Sequence, residues 1–170
     1  NTACFVWGQG VQGGRVSRRL VSSADVAPTI YELCGVAAEN RPETDGKSFA
    51  ALLHGADREI RESLYMEMGH TRGVIKGDYK YIAFRLPKDL ETGAEKAPHF
   101  GPDQKHYLAA RNAYEHYHDK DQLYNLAEDP EEQNNLAAAP EYQAKLDEMK
   151  KELTRRLAPL PGPFGEFKAS

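Results

Sequence analysis

The densest group of side chains with potential for chemistry is the run His116-Tyr-His118-Asp119-Lys-Asp121. A His-x-His pair on a strand would place both imidazoles on one face, which is what a metal site needs. Such a site also needs a third and usually a fourth ligand, and the other histidines nearby in sequence are His99 and His106. Packed or exposed histidines are therefore the preferred interpretation, and we predict no metal ligand in this segment.

A second candidate lies in the stretch MGHTRGV, residues 68–74, where two predicted strands meet. Loops at such joints commonly present ligand-contacting groups. A guanidinium beside an imidazole suits an anionic or sugar ligand, so we predict His70 and Arg72 as substrate-binding residues. The alternative is a polar hairpin end in solvent.

Two further motifs do not meet their structural requirements. Gly8-x-Gly10-x-x-Gly13 has the spacing of a dinucleotide-binding loop, but a strand-like segment follows it instead of a helix. A connecting loop is the simpler interpretation. Ser22 and Ser23 are explained by helix capping, and no serine lies in Gly-x-Ser-x-Gly. We therefore predict no catalytic residue in this segment.

The length and charge of the chain limit the possible classes of protein. Its 170 residues suit one domain or slightly more. The 22 basic and 26 acidic residues give a net charge of −4 and are mixed along the chain, which argues against nucleic acid as a partner. Arg15, Arg18 and Arg19 form a local basic cluster, which we interpret as solvated. No run of about 18 apolar residues occurs, so no membrane span is predicted.

The first third of the chain contains two predicted strands and two predicted helices. The strands are residues 3–7, an apolar run before the glycines, and residues 16–21. Ser22 to Asp25 opens the first helix, which Gly35 ends. Its predicted inward face is Val26, Ile30 and Leu33. Ser48 caps a short second helix with Phe49, Leu52 and Leu53 inward. We also predict that the two cysteines, Cys4 and Cys34, are buried.

The remaining two thirds predict an antiparallel sheet and a long helix. Strands are expected at residues 63–68, 71–76 and 79–84, the last two joined by a Gly77-Asp78 turn. A fourth strand starts at Asp121 and ends before Pro130. The final helix begins at Pro140 and has this apolar face: Tyr142, Leu146, Met149, Leu153 and Leu157.

The connection between the third and fourth strands, residues 85–120, is too long for a bare loop in a compact domain. Asp103 could cap a helix that runs to Tyr117. That helix would place Tyr107, Ala110, Tyr114 and Tyr117 at helical spacing. An aromatic stripe of this kind more often serves packing than ligand binding.

Five segments taken together resemble the C-terminal portion of a sulfatase, a family within the alkaline phosphatase superfamily. They are LVSSADVAPTIYELCG at 20–35, DGKS at 45–48, LHG at 53–55, RGVIKGDYKYI at 72–82 and QLYNLAEDPEEQNNL at 122–136. The resemblance implies an α+β fold. Residues 1–55 would be the last elements of a large α/β domain. Residues 56–170 would form a small subdomain, a four-stranded antiparallel sheet packed against a long helix at about 140–157.

The same resemblance limits what this segment can do alone. Sulfatases use a formylglycine made from Cys-x-Pro-x-Arg or its serine variant, beside a calcium ion. Neither Cys4 nor Cys34 lies in such a motif. The formylglycine and the calcium are therefore expected in a preceding N-terminal part, with no cofactor bound by these residues.

Three functional hypotheses follow. The first is a fragment of a sulfatase that hydrolyses a sulfate ester on a sugar or aryl group. The second is a phosphonate or phosphate monoester hydrolase of the same superfamily. The third is a non-catalytic carbohydrate- or protein-binding module that uses Tyr107, Tyr114, Tyr117 and His70. The family resemblance also suggests an N-terminal sulfatase domain as partner, a homo-oligomer, and a periplasmic, extracellular or lysosomal location.

Overall fold

The computed structural model describes residues 4–85, 116 and 119–168. The chain divides into two compact units, Asn1–Leu64 and Tyr65–Ser170. The boundary predicted after residue 55 stays a prediction. In the described ranges, no helix is both long enough and apolar enough to cross a membrane.

The first unit is built around two helices, α1 at Val26–Leu33 and α2 at Ala50–Leu53. The chain enters α1 through a 3-10 turn at Ser23–Asp25, preceded by a capping box in which Ser22 is the N-cap. Gly35 follows α1 with φ 67°, the left-handed conformation that commonly ends a helix. The start of α1 and its glycine stop agree with the sequence prediction. The predicted cap of α2 is off by one residue, because its N-cap is Phe49, although Ser48 Oγ accepts a 3.2 Å bond from Ala50 N.

The predicted inward face of α1 is wrong. Val26, Ile30 and Leu33 remain 43%, 51% and 43% exposed, whereas Pro28 and Thr29 are buried. The Phe49 amide donates a 3.0 Å hydrogen bond to Thr29 Oγ1, so the segment before α2 packs against that side of the helix. Apolar spacing alone did not reveal this, because Thr29 is polar in sequence.

The strands predicted at residues 3–7 and 16–21 are also wrong for the residues that are described. Residues 4–7 and 16–21 form no strand, and Phe5, Trp7 and Val16 are 94%, 93% and 91% exposed. A strand requires a hydrogen-bonding neighbour, and no described residue of this unit pairs with either segment. The two cysteines, predicted to be buried, are both free and exposed.

A four-stranded antiparallel sheet organises the second unit, in the order β1-β2-β3-β4. The strands are β1 at Ser63–Met68, β2 at Thr71–Lys76, β3 at Tyr79–Phe84 and β4 at Asp121–Asn125. Lys76 pairs with Tyr79 across a two-residue turn whose first residue, Gly77, has φ 57°. This is the predicted glycine-first hairpin, and the four-stranded α+β arrangement is confirmed.

A long helix, α3 at Gln143–Leu157, packs on β2 and β3. A 3-10 turn at Pro140–Tyr142 leads into it, as the proline predicts. Core side chains of the sheet, the helix and the tail meet in one cluster: Val74, Tyr81, Ala83, Leu123, Leu146, Met149, Leu153, Leu157 and Phe164. Glu152 of α3 is 5% exposed although it is charged, and Arg155 and Arg156 pair with its carboxylate.

The outer edge of β4 is closed by the segment that follows it. Leu136 N donates a 2.8 Å bond to Leu123 O, and Leu123 N donates a 3.0 Å bond to Asn135 Oδ1. A side chain and a loop amide therefore replace a fifth strand, which protects this edge from pairing with another chain.

Candidate functional site

The predicted site lies at the turn between β1 and β2. Gly69 adopts φ 53°, which allows the chain to reverse within the two residues Gly69 and His70. Arg85 N donates a 3.0 Å bond to His70 O, so the residue after β3 extends the sheet by one pair and fixes the turn. His70 itself is half-buried.

Arg72 is held against this turn by several contacts. Its Nη1 donates to Gly69 O at 2.7 Å and to Thr71 O at 3.0 Å. Its Nε lies 3.3 Å from Glu67 Oε2. The side chain is 21% exposed, and within the described part of the chain no acceptor is bonded to Nη2. Nη2 thus carries two N–H donors that no described residue accepts.

The Phe164 ring forms the apolar support of Arg72. The Arg72 guanidinium carbon lies 5.1 Å from the ring centroid, within the range of a cation–π contact. Phe164 is 7% exposed and belongs to the core of the second unit. The arrangement thus joins a charged side chain at the turn to the C-terminal tail, residues 164–168.

The tail is itself anchored by Arg85. Arg85 Nε donates to both carboxylate oxygens of Glu166, at 3.0 Å and 2.8 Å, and its guanidinium lies 5.2 Å from the Phe167 ring centroid. The pKa of the Glu166 carboxyl is lowered, mainly by its hydrogen bonds from Arg85. Lys168 Nζ donates to the final carbonyls of α3, including Leu157 O at 3.2 Å.

Asp121 lies at the centre of a network of charged and polar side chains in the second unit. It accepts from the Tyr81 hydroxyl at 2.6 Å, from Arg85 Nη2 at 2.8 Å and from Lys150 Nζ at 2.7 Å. Partial burial alone would raise the pKa of this carboxyl, but the bonds from Lys150, Tyr81 and Arg85 outweigh burial and lower it to about 2. Burial raises the pKa of Tyr81, so the tyrosine stays a neutral donor.

A second charged centre lies in the first unit, at Asp25. This carboxylate has no exposed surface and accepts from Ser22 N and Lys47 N, both at 2.7 Å, as well as from Arg61 Nη2. It joins the start of α1 to the segment before α2. These bonds leave Asp25 saturated, which marks it as a structural residue and not as a reactive carboxylate.

The sequence predicted Asp25 at a helix start but did not indicate its buried partner, Arg61. It also did not indicate the roles of Arg85, Asp121 and Phe164. The signal at Arg61 was weak, since a lone arginine in a polar segment does not indicate burial. For Phe164, the surrounding prolines suggested an irregular tail, and nothing in the local pattern indicated that its ring enters the core.

The histidine-rich run is only partly described. His116 Nδ1 lies 2.8 Å from Asp119 Oδ2, and Asn135 Nδ2 donates to the same oxygen at 2.9 Å. In residues 4–85, 116 and 119–168, no group of three or more His, Cys, Asp and Glu side chains could hold a metal ion. The following predicted residues lie outside the described ranges: His99, His106, Tyr107, Tyr114, Tyr117 and His118.

The second unit thus combines a four-stranded antiparallel sheet, a long helix across it and a charged turn at one end. The family model described as "N-sulphoglucosamine sulphohydrolase, C-terminal" matches residues 3–158, and the chain belongs to this family.

Solved structures show the same fold. A candidate sulfatase from Bacteroides thetaiotaomicron VPI-5482 is similar at a TM-score of 0.60 and 23% identity, over 89% of this chain and 28% of that one. A structure described as a 2-O GAG sulfatase is similar at a TM-score of 0.51 and 21% identity, over 79% of this chain and 24% of that one. The chain thus spans about a quarter of these proteins. A search of curated protein sequences finds no match.

Proposed function

We propose that the chain is the C-terminal part of a sulfatase that removes sulfate from a sugar. The observation that supports this most directly is the family match over residues 3–158. A sulfatase needs a nucleophile and a metal site, and within the described ranges neither a formylglycine motif nor a set of three metal-ligating side chains is present. Because the chain spans about a quarter of the sulfatases it resembles, we propose that the reactive centre and its calcium belong to the preceding part of the protein, and we derive no catalytic step from these residues.

The family description, which names N-sulphoglucosamine, supports a sulfated amino sugar as the substrate class. Within this segment, His70 and Arg72 are the proposed substrate contacts. Arg72 Nη2 has two N–H donors that no described residue uses, at a turn held rigid by Arg85. A sulfate oxygen is a suitable acceptor for such a donor, because hydrogen bonds from a guanidinium to an anion are short and strong. Glu67 on the Nε side weakens the attraction, so a single-oxygen contact through Nη2 is expected.

The first unit contributes structure in this proposal. Phe5, Trp7 and Val16 are more than nine tenths exposed, and the outer face of α1 exposes Ile30. Large apolar side chains in such number favour contact with another surface. Because the chain spans about a quarter of the sulfatases it resembles, we propose that the preceding α/β domain of the same protein covers them.

The proposal is tested with the complete protein and with the 170-residue chain in parallel. The complete protein should release sulfate from p-nitrophenyl sulfate or from N-sulfated glucosamine, and the 170-residue chain should release none. Turnover by the 170-residue chain would contradict the proposed location of the reactive centre. Comparison of the two substrates on the complete protein shows whether it cleaves an O–S or an N–S bond.

Substrate contact by His70 and Arg72 is tested by replacing each with alanine in the complete enzyme. We expect KM to rise while kcat changes less, since a contact made equally in the ground state and the transition state affects binding. Unchanged kinetics in the double variant would reject the assignment. Lys76→Ala, at the other end of β2, is the matched control for the loss of a basic strand residue.

Two alternatives remain, and each is separated from the proposal by a different observation: the reading frame upstream of Asn1 for the binding module, and substrate turnover for the other hydrolases. Cys-x-Pro-x-Arg or its serine variant in that frame would favour the sulfatase. A start codon immediately before Asn1 would favour a stand-alone carbohydrate- or protein-binding module. A phosphonate or phosphate monoester hydrolase is distinguished by turnover of p-nitrophenyl phosphate. A secretion signal in the same frame would support the periplasmic, extracellular or lysosomal location.

A further inference from the structure

We propose that the C-terminal tail, residues 164–168, is a positioning element for the substrate-binding turn. It would fix the Arg72 guanidinium so that Nη2 meets one oxygen of a sulfate group. The ligand part of this inference rests on the proposed function. The positioning part rests on contacts within the second unit alone.

The first contact is the one between Phe164 and Arg72. With the guanidinium carbon 5.1 Å from the ring centroid, the plane of the ring supports one face of the arginine. Phe164 is almost fully buried and cannot move away without leaving the core. The Gly69 and Thr71 carbonyls hold Nη1 at the same time. The side chain is thus restrained along one edge and one face, and Nη2 remains available to an outside acceptor.

The second contact runs through Arg85, which joins the tail to the same turn. Its backbone amide holds His70 O at 3.0 Å, and its side chain binds both oxygens of Glu166. Both proposed substrate residues are therefore connected to the tail, His70 through Arg85 and Arg72 through Phe164.

The tail has an internal structure that suits this role. Phe164 N donates to Lys168 O at 2.9 Å, and the Phe164 and Phe167 rings are stacked with centroids 6.0 Å apart. Lys168 Nζ then bonds to the carbonyls that end α3. A segment fixed at both ends presents Phe164 in one orientation, which lowers the entropy that Arg72 loses when a ligand binds.

The test uses two tail variants of the 170-residue chain, Phe164→Leu and Phe167→Leu. Each removes one ring from beneath one arginine, Arg72 in the first variant and Arg85 in the second. Two NMR observations are made on each protein: the shift of the Arg72 Nε–H signal, and its change on titration with inorganic sulfate at constant ionic strength. Thermal midpoints are measured alongside.

We expect Phe164→Leu to remove the ring-current shift of the Arg72 signal and to raise the Kd for sulfate about threefold, because a guanidinium without the ring loses more entropy when it binds. Phe167→Leu keeps the ring beneath Arg72, so it should preserve the ring-current shift and raise the Kd less than Phe164→Leu does at an equal loss of thermal midpoint. In the complete enzyme, Phe164→Leu should raise KM and leave kcat unchanged, and Phe164→Tyr, which keeps the ring, should restore KM.

Three results would count against the inference. An unchanged Arg72 signal in Phe164→Leu overturns the positioning. If both variants weaken sulfate binding in proportion to their loss of stability, the tail has only a structural role, and the positioning is overturned as well. A wild-type Arg72 signal that does not respond to sulfate overturns the ligand part. Failure of the complete protein to release sulfate is a separate result, which contradicts the proposed function and leaves the ring-current test unaffected.

Discussion

The Tyr81 hydroxyl donates a 2.6 Å hydrogen bond to Asp121 Oδ1 from the adjacent strand. Tyr81 has no exposed surface. Ala83, two residues further along β3, pairs directly with Asp121 of β4. Lys150 from α3 reaches the other oxygen of the same carboxylate. One ionised side chain thus connects two strands to the helix that covers them.

The first prediction concerns the pH dependence of stability. The pKa of Asp121 is lowered from 3.8 to about 2 in the folded chain. A lowered carboxyl pKa stabilises the fold above the unfolded value, and this stabilisation is lost as the pH falls from about 4 to about 2. The difference corresponds to roughly 2 kcal/mol. Urea unfolding of the wild type at several pH values should show this loss.

Asp121→Asn is the matching variant. It should be less stable at pH 7 by about 2 kcal/mol and should show a flatter stability profile between pH 4 and 2. Asp147→Asn is the control, because Asp147 is exposed on α3 and accepts from the Gln143 side chain. An unchanged acid profile in Asp121→Asn would contradict the assignment of the pH effect to this carboxylate.

The second prediction concerns the buried pair of Asp25 and Arg61, whose side chains are 0% and 9% exposed. Asp25→Ala would leave the Arg61 charge buried without its partner and the Lys47 amide without its acceptor. We expect a loss of about 3–5 kcal/mol in the free energy of unfolding, measured with urea.

An exposed ion pair of the same unit provides the control for that variant. Arg19 Nε lies 2.7 Å from Asp57 Oδ1, and the two side chains are 38% and 68% exposed. Asp57→Ala should barely change the urea midpoint, since pairs in solvent contribute little. Equal effects of the two alanine variants would mean that burial of Asp25 does not determine the strength of its interaction.

The elements that sequence predicts best are those that local interactions determine. The strands β2 and β3 have the predicted bounds, since alternating apolar residues and the Gly77-Asp78 turn lie within one short stretch. Helix α3 was likewise predicted from Pro140 and its apolar repeat. The failures at residues 3–7 and 16–21 have the opposite cause, because a strand there depends on partners from elsewhere in sequence.

The turn between β1 and β2 was predicted from sequence, whereas the contacts of Arg72 were not, and substrate binding by His70 and Arg72 stays a prediction. The strand joint indicated His70 and Arg72, since the turn follows from local pattern. The side chains that restrain Arg72 could not be predicted, because Phe164 is more than ninety positions away in sequence and follows a proline-rich stretch.

The third prediction concerns Glu132, the one non-glycine residue with positive φ in the described ranges, at 57°. Its carboxylate receives two bonds from Lys80 Nζ, at 2.8 Å and 2.6 Å. Glu132→Ala and Glu132→Gly both lose this pair, but only glycine relieves the left-handed backbone. Glu132→Gly should therefore be the more stable of the two by about 1 kcal/mol in urea.

The neighbouring residue tests whether that difference comes from the backbone. Glu131 does not have a positive φ. Glycine there relieves no backbone strain and raises the conformational entropy of the unfolded chain. Glu131→Gly should consequently be no more stable than Glu131→Ala. The same order of stability at both positions would contradict the explanation from positive φ.

The last prediction concerns Asn135, which closes the edge of β4. Its Oδ1 accepts from Leu123 N and Ala137 N, both at 3.0 Å, while Nδ2 donates to Asp121 O at 3.1 Å. Asn135→Ala leaves the Leu123 amide unpaired at a buried strand, and we expect a loss of about 1–3 kcal/mol in urea unfolding.

Asn135→Asp separates the acceptor role of this side chain from its donor role. Aspartate keeps an oxygen for Leu123 N but replaces Nδ2 with an oxygen that faces Asp121 O and Asp119 Oδ2. The Asn135→Asp variant should therefore also be destabilised at pH 7, because an ionised carboxylate has no hydrogen to donate to these oxygens. Asn134→Ala is the control, because Asn134 is exposed. If Asn135→Asp were as stable as the wild type, the amide donor would have no structural role, and the edge of β4 would depend on the backbone bond from Leu136 alone.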